Sequence, residues 1–453
     1  MLSRVTAIIA GPTGTGARPA PVGNPPCVPM FRWTASDIRG SVRKGYRDGT
    51  HRLISPEETL ARVHPHLTTM GVTRVANITG LDRIGIPVVM VCRPNSRTLA
   101  VHQGKGRTLA AARASALMEA VETHHAERLA LPLTLASYRS LRRAQPVVDV
   151  TKLPRLRKSR FHADRRIPWI EGWDLMAGEP AWVPYETVHA NYSLPRPPGS
   201  CCFWATTNGL ASGNHALEAI SHGICEVVER DAATLWSNLP SETQDRTRLD
   251  LGSVEDGACR EVLERFSRAG VAVAVWEATT DTGFPTFICE VAERDLSPLR
   301  PIGAAWGIGC HPARGVALLR ALTEAAQSRL TLIAGSREDI PREQYERVLS
   351  PDVQVRERAY IEVQGPMRDF RDAPTWETET FDEDVAWELE RLKTVGVERV
   401  VVVDLTRPEI GIPVVRLVIP GLEGPAFGEG SSDYILGARA KRAVETAHKQ
   451  GGG

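Results

Sequence analysis

Membrane-length apolar runs, zinc spacings, a strong net charge and the common hydrolase and phosphate-loop signatures are all missing from this 453-residue chain. No stretch approaches the roughly 20 consecutive apolar residues of a bilayer span. Val5 to Ala10, apolar behind Arg4, is short for a secretory core. Lys and Arg number 55 against 54 Asp and Glu, so no global field draws the chain to nucleic acid or membrane. The eight cysteines (Cys27, Cys92, Cys201, Cys202, Cys225, Cys259, Cys289 and Cys310) show no CxxC or Cys/His pattern. They are expected to be buried free thiols in a reducing compartment, and the protein is expected in the cytoplasm. No GxSxG elbow or Ser-His-Asp order stands out. Gly11 to Arg18 resembles a P-loop only superficially, because the Lys-Ser/Thr pair is absent.

What is present is length enough for a large core and two or more subdomains. Residues 1–44, rich in Gly, Pro and Thr, read as a flexible leader in which Met30 is an alternative start. Residues 45–425 form the expected catalytic domain and 426–453 a C-terminal tail. One pattern occurs three times: a charged amphipathic helix, Gly-Val, a β-branched strand, a Thr-bearing turn with Gly-x-Pro, and a second strand. It runs from Pro56 through Gly71 and Thr79 to Gly85-Ile86-Pro87-Val88-Val89. It recurs from Ser253 through Gly270 and Thr280 to Gly283-Phe284-Pro285, and from Asp382 through Gly396 and Thr406 to Gly411-Ile412-Pro413-Val414-Val415. Gly suits a helix C-cap, and the remainder reads as a hairpin. Such grammar can recur by coincidence; the shared GIPVV argues against it. The expected fold is α+β with internal pseudo-symmetric α–β-hairpin repeats and a ligand at their junction.

The stretch Gly104 to Glu127 is the most informative. Its Gly-Lys-Gly is expected to be a turn where backbone N–H groups approach an anion and Lys105 adds charge. From Thr108 a helix is predicted, with Ser115, Glu119 and Glu122 at i, i+4, i+7 on one face. A second helix, Ala216 to Thr234, carries Glu218, Glu226, Glu229, Arg230 and Asp231. At about 100° per residue, Glu218 and Glu229 point within roughly 20° of each other. A third, Gly315 to Ile333, sets Arg320, Glu324 and Gln327 on one face and also holds Arg329. A helical Glu is ordinarily solvated. Here apolar Leu117, Met118 and Val121 surround the acids, and inward carboxylates need a hard cation. Oxygen-only ligation suits Mg²⁺ bridging to phosphates, with Lys105, Arg230, Arg329 and Arg337 on the phosphate side. A binuclear hydrolase would also want His or Asp ligands. His124-His125 reads as surface, and Cys201-Cys202 reads as a packed strand before Trp204 in preference to a nucleophile.

Three pieces carry a resemblance. QGKGRTLAAARASALMEAVE (103–122), TTNGLASGNHALEAISHGICEVVERDA (206–232) and ALLRALTEAAQSRLTLIAGSRED (317–339) resemble the signature blocks of the YcaO family, in order, within a likeness spanning roughly residues 45–425. GVTRVANITGLDRIGIPVV (71–89) looks most like the stand-alone branch encoded beside a TfuA partner. The resemblance implies a YcaO-like fold with the nucleotide site between acidic helices, and ATP- and Mg²⁺-dependent activation of a peptide backbone amide by O-phosphorylation. It implies that Glu119, Glu122, Glu218, Glu226 and Glu229 ligate Mg²⁺. Lys105, Ser115, Asn208 and Arg230 would contact phosphates or nucleoside, with Gln327 and Arg329 from the third block. Glu119, Glu122, Glu229 and Arg230 would be the catalytic set. The implied partners are a peptide or protein substrate, a TfuA-like protein and a leader-peptide-binding protein, with a homodimer as the expected assembly and no role for nucleic acid or membrane.

Two departures shape the product expected. Azoline-forming members often end in a PxPxP tail, whereas this chain ends AKRAVETAHKQGGG, and no fused leader-binding segment is evident. Both favour thioamidation with an external sulfur source over azoline or amidine formation. A catalytically silent, peptide-recruiting scaffold is the alternative of another class, and intact acidic blocks argue against it. The charged segments Arg337 to Arg347 and Arg356 to Arg371 read as solvated faces.

Overall fold

Each of the three sequence repeats folds as a helix followed by an antiparallel strand pair. The computed structural model describes residues 40–451 apart from 198, 296–301, 364, 366 and 425–432. Gly11–Arg18, Cys27 and Met30 lie outside the described residues. In the first repeat the helix Pro56–Val63 precedes Arg74–Asn77, which pairs with Val88–Cys92 in the register Val75 to Val91. In the second, Gly257–Arg268 precedes Val271–Glu277 and Thr286–Glu293, with Val275 opposite Cys289. In the third, Phe381–Thr394 precedes Val401–Asp404 and Val414–Val418, with Val402 opposite Leu417. Ser55, Asp256 and Thr380 cap the helix starts by accepting N–H groups at N3, and Ser55 completes a capping box with Glu58. Gly71, Gly270 and Gly396 follow the helices at φ of 71°, 67° and 83°, a region where a Cβ is strained. The turn threonine is structural. Thr79 and Thr406 each accept the N–H that opens the second strand, Val88 and Val414, at 3.1 Å. In the second repeat Thr279 does this for Thr286 at 3.3 Å, one residue before the Thr280 of the sequence pattern.

A third strand completes each sheet. Val101–Lys105 joins the first and Ala305–Cys310 the second, both following in sequence. For the third, the neighbour of Val414–Val418 is Leu210–Ser212, from much earlier in the chain, with Ala211 opposite Val415. Each of these outer strands leads directly into a long helix: Leu109–Ala126, Arg314–Ala334 and Ala216–Ser237. The third sheet is extended on its other side by Leu133–Ser137, Arg166–Asp174 and Glu179–Pro184. The sheets bury their apolar faces against these helices. Val89, Val91, Ala116 and Ala120 meet Trp169, Val401 and Val414 in one cluster, while Val275, Phe287, Leu318 and Leu322 form a second. Each such aliphatic side chain contributes about 1.5–3 kcal/mol on full burial.

Several expectations shift. Gly104 lies inside the strand Val101–Lys105, not in a turn, and a Cβ there would collide with the backbone of Ala112 and Ala116. Gly106 is similarly pressed on Ala111. These glycines let strand and helix touch, and the Gly106 N–H donates to the Pro87 carbonyl at 3.2 Å. Residues on either side of 45–425 also pack on the fold. Lys44 is buried and pairs with Asp384 at 2.7 Å, and the C-terminal helix Ala438–Gly451 is pinned by Arg439 to Asp231 at 3.0 Å. His125 is not surface: it is fully buried, its Nδ1 2.7 Å from the Val121 carbonyl. Cys201 and Cys202 lie in a loop, not a strand, and their N–H groups, with that of Phe203, donate to the Glu186 carboxylate. The seven described cysteines are free thiols, five of them buried. No helix among the described residues is long and apolar enough to cross a membrane.

Candidate active site

The three long helices turn one polar stripe each into a single cavity of about 1100 Å³. Counted from each outer strand, the stripes fall in register: Ser115, Glu119 and Glu122; His222, Glu226 and Glu229; Arg320, Glu324 and Gln327. All nine line the cavity. The i, i+4, i+7 spacing sets each trio along one helix face, and the strand–helix turn aims that face inward. Edge strands lack a neighbour for half of their amides, and the acids serve them. Glu119 accepts from Gln103 N at 3.3 Å, Glu122 from Ser212 N at 2.9 Å and Ser212 Oγ at 2.7 Å, and Glu229 from Cys310 N at 3.0 Å. Each carboxylate is thereby fixed to the scaffold, with lone pairs to spare.

Cations interleave with the acids. Lys105 pairs with Glu324 at 2.6 Å, and Arg230 and Arg320 approach Glu229 at 3.6 and 3.9 Å. Burial pushes Glu122 up to about 8, with the Glu226 and Glu119 charges adding and the Ser212 bonds opposing. Burial also pushes Glu226 up to about 7, where Arg230 opposes it and Glu229 adds to it. Glu229 is raised by the same desolvation. Burial raises Glu324 too, but Lys105 and Arg230 outweigh it and hold this acid below its ordinary range. His222 is kept neutral by burial and by Arg52 and Arg320. Gln103 Nε2, His222 Nδ1 and Arg320 Nε are buried in the wall without a partner among the described residues, so the wall offers unused polarity to a polar ligand.

The predicted residues divide. Lys105, Ser115, Glu119, Glu122, Glu218, Glu226, Glu229, Arg230 and Gln327 all line the cavity. Glu218 is tied to Leu53 N at 3.0 Å and Arg52 at 3.4 Å. Arg329 points elsewhere: it is buried against Asp82 at 3.3 Å and against Glu293, which Arg83 also pairs. Asn208 does not line the cavity either; it sits in the turn before Leu210–Ser212, its N–H on Thr206 Oγ1 at 3.1 Å. Arg337, expected on the phosphate side, lines the cavity, and so do Gln344 and Arg347 from the Arg337 to Arg347 segment that reads as a solvated face. Sequence reasoning noted Arg320 and Glu324 without assigning them. The signal was available, since their spacing repeats that of Ser115 and Glu119. Among the described residues no three His, Cys, Asp or Glu side chains converge into a closed cage. Acids on facing walls suit a cation that keeps waters and completes its shell with phosphate oxygens. Arg329→Lys, which cannot keep the planar fork between Asp82 and Glu293, is expected to cost about 1–3 kcal/mol. Denaturant titration checks this, and nucleotide affinity should be unchanged; a loss of affinity at full stability would return Arg329 to the site.

Against known proteins, residues 103–423 match the model for the YcaO cyclodehydratase, ATP- and Mg²⁺-binding family. The chain belongs to the YcaO family. An uncharacterized protein in the tfuA 3′ region of Rhizobium leguminosarum bv. trifolii is 38% identical over 420 residues, covering 91% of this chain and 97% of the relative. A Methanothermobacter thermautotrophicus protein is 36% identical over 82% of this chain and 94% of its own. YcaO from Methanopyrus kandleri, solved with AMPPCP and Mg²⁺, superposes with a TM-score of 0.66 at 25% identity, over 84% of this chain and 94% of that one. A heterocyclase solved with substrate and cofactor gives 0.70 at 24% identity, over 85% of this chain and 54% of the heterocyclase. YcaO proteins are ATP-dependent, Mg²⁺-binding enzymes, and the oxygen-only acids and interleaved cations of this cavity fit both ligands.

Proposed function

We propose that this YcaO protein uses MgATP to convert a peptide backbone amide into a thioamide, with a TfuA-like partner and an external sulfur source. The observation that supports the ATP step is the set of three in-register polar stripes around one cavity. The sulfur step is supported by the Rhizobium relative, named for its place beside tfuA and matched over 97% of its length. In this reading Glu119, Glu122, Glu218, Glu226 and Glu229 hold Mg²⁺, which supplies charge compensation on the phosphates. Lys105, Arg230 and Arg320 bind and orient the phosphoryl groups, while Ser115 and Gln327 offer neutral contacts. A sulfur nucleophile adds to the amide carbon, and the oxygen that receives the electron pair attacks the γ-phosphorus as ADP leaves. Phosphate then departs carrying that oxygen while C=S forms and the sulfur sheds its proton. An amide oxygen is a poor leaving group, and phosphorylation makes it a good one. A homodimer and a leader-peptide-binding protein belong to the same proposal.

None of the described residues beyond Glu357 lines the cavity, and the C-terminal helix is held on the Ala216–Ser237 helix through Arg439 and Asp231. Mass spectrometry of a candidate peptide co-produced with this protein and its genomic neighbours decides the product. A gain of about 16 Da, oxygen replaced by sulfur, is the expected result. A loss of about 18 Da would instead identify a cyclodehydratase forming an azoline.

A further inference from the structure

We propose that a basic face built from residues 139–166 docks an acidic stretch of the substrate peptide beside the large cavity, an inference that rests on the peptide-substrate reading above. Ten Lys and Arg and only two Asp fall between Arg139 and Arg166, a local excess of eight positive charges in a chain whose net charge is +1. Two segments meet to form the face. The Tyr138 ring contacts Phe161 at 6.3 Å, Arg139 pairs with Asp164 at 2.7 Å, and the Arg139 N–H donates to the Ala163 carbonyl at 3.0 Å. Arg143, Lys158 and Arg160 are exposed and have no acidic partner among the described residues. A groove of about 580 Å³ runs beside Tyr138, lined by Arg142 and by two cations already paired, Lys152 with Glu398 at 2.9 Å and Arg399 with Asp174 at 2.8 Å, so the unpaired charge lies on its Tyr138 side.

The face is joined to the cavity by direct bonds. Arg160 N donates to the Cys201 carbonyl at 2.8 Å, Ser159 Oγ to the Cys202 carbonyl at 2.6 Å, and Trp204 N to the Pro154 carbonyl at 3.1 Å. The next residues, Ala205, Thr206 and Thr207, line the cavity. A peptide held on the basic face therefore lies next to the wall that receives its reacting amide.

Polypeptide fits this face better than nucleic acid. Its large rings are covered, Tyr138 by Arg142 at 5.4 Å and Phe161 by Arg155 at 5.7 Å, which leaves the small His162 imidazole as the exposed ring a base could reach. The adjoining edge strand Leu133–Ser137 exposes Leu133 and Leu135 at 46% and 55%, which suits an extended chain with alternating acidic and apolar side chains. Charge complementarity supplies encounter rate and register, and the apolar strand supplies contact.

Fluorescence anisotropy tests the proposal with a labelled peptide of alternating Glu and Leu, its Gln-for-Glu counterpart and a single-stranded oligonucleotide, in about 150 mM salt. The acidic peptide is expected to bind. Its affinity should fall at least about tenfold for the combined Arg143→Gln, Lys158→Gln and Arg160→Gln variant, and equally for the Gln peptide. The variant should keep the parent's thermal shift with Mg²⁺ and a non-hydrolysable ATP analogue, which reads the fold and the enzyme assignment separately from docking. Equal binding of both peptides, or of the acidic peptide by parent and variant alike, overturns the proposal. Tighter binding of the oligonucleotide overturns it in favour of a nucleic-acid surface.

Discussion

Glu229→Gln is expected to lower substrate-dependent ATP turnover by about a thousandfold while leaving the fold intact. The side chain is 2% exposed, and one oxygen accepts the Cys310 N–H at 3.0 Å. A Gln carbonyl oxygen can keep that bond, so strand and helix stay joined. The charge is lost. Arg230 and Arg320, 3.6 and 3.9 Å away, then lose one of their counter-ions, and on the proposed ligation Mg²⁺ loses an anionic ligand. Under the thioamide reading the gain in product mass disappears with it. Turnover is read from phosphate release and fold from thermal melting. A variant that melts like the parent and still turns over within about tenfold of it would remove Glu229 from the machinery.

The local elements were legible because helices with caps and strands closed by Gly-x-Pro turns announce themselves within a few residues. The Glu-bearing faces were legible for the same reason, since 3.6-residue spacing is a local property. What linear order concealed was assembly. The third sheet takes its outer strand from Leu210–Ser212, so the Ala216–Ser237 helix follows an outer strand as the other two long helices do, although it precedes its own hairpin in the chain. Without that step, Arg320 and Glu324 could not be aligned with Ser115 and Glu119. Arg329 shows the opposite failure. A basic residue near a signature block was assigned to phosphate, yet helical phase turns it away from the cavity toward Asp82 and Glu293. Gly104 shows a third: the same residue type serves anion approach and helix contact, and only the position of Ala116 distinguishes them.

Mg²⁺ affinity should climb steeply with pH through neutrality, because two of the acids proposed to hold it are partly protonated in the cation-free protein. Glu122 and Glu226 sit at about 8 and about 7 against an ordinary value of 4.5, chiefly through burial. Both are raised acids, so the protonated forms favour the folded, cation-free protein. That contribution is complete below the ordinary carboxylate range and is lost as pH rises through 7 and then 8. A cation reverses the balance by binding only the ionised pair. The gain in affinity is therefore about a hundredfold per pH unit below 7, about tenfold per unit between 7 and 8, and flat above. Calorimetry in buffers of different ionisation enthalpy should show between about one and two protons released near pH 7. Glu122→Gln, titrated with the same nucleotide so that the nucleotide's own protonation cancels, should remove the steps near 8 and leave those near 7. Affinity that does not vary with pH, with heats independent of buffer, would mean that these two acids are already ionised and that the cavity's cations, not protons, balance them.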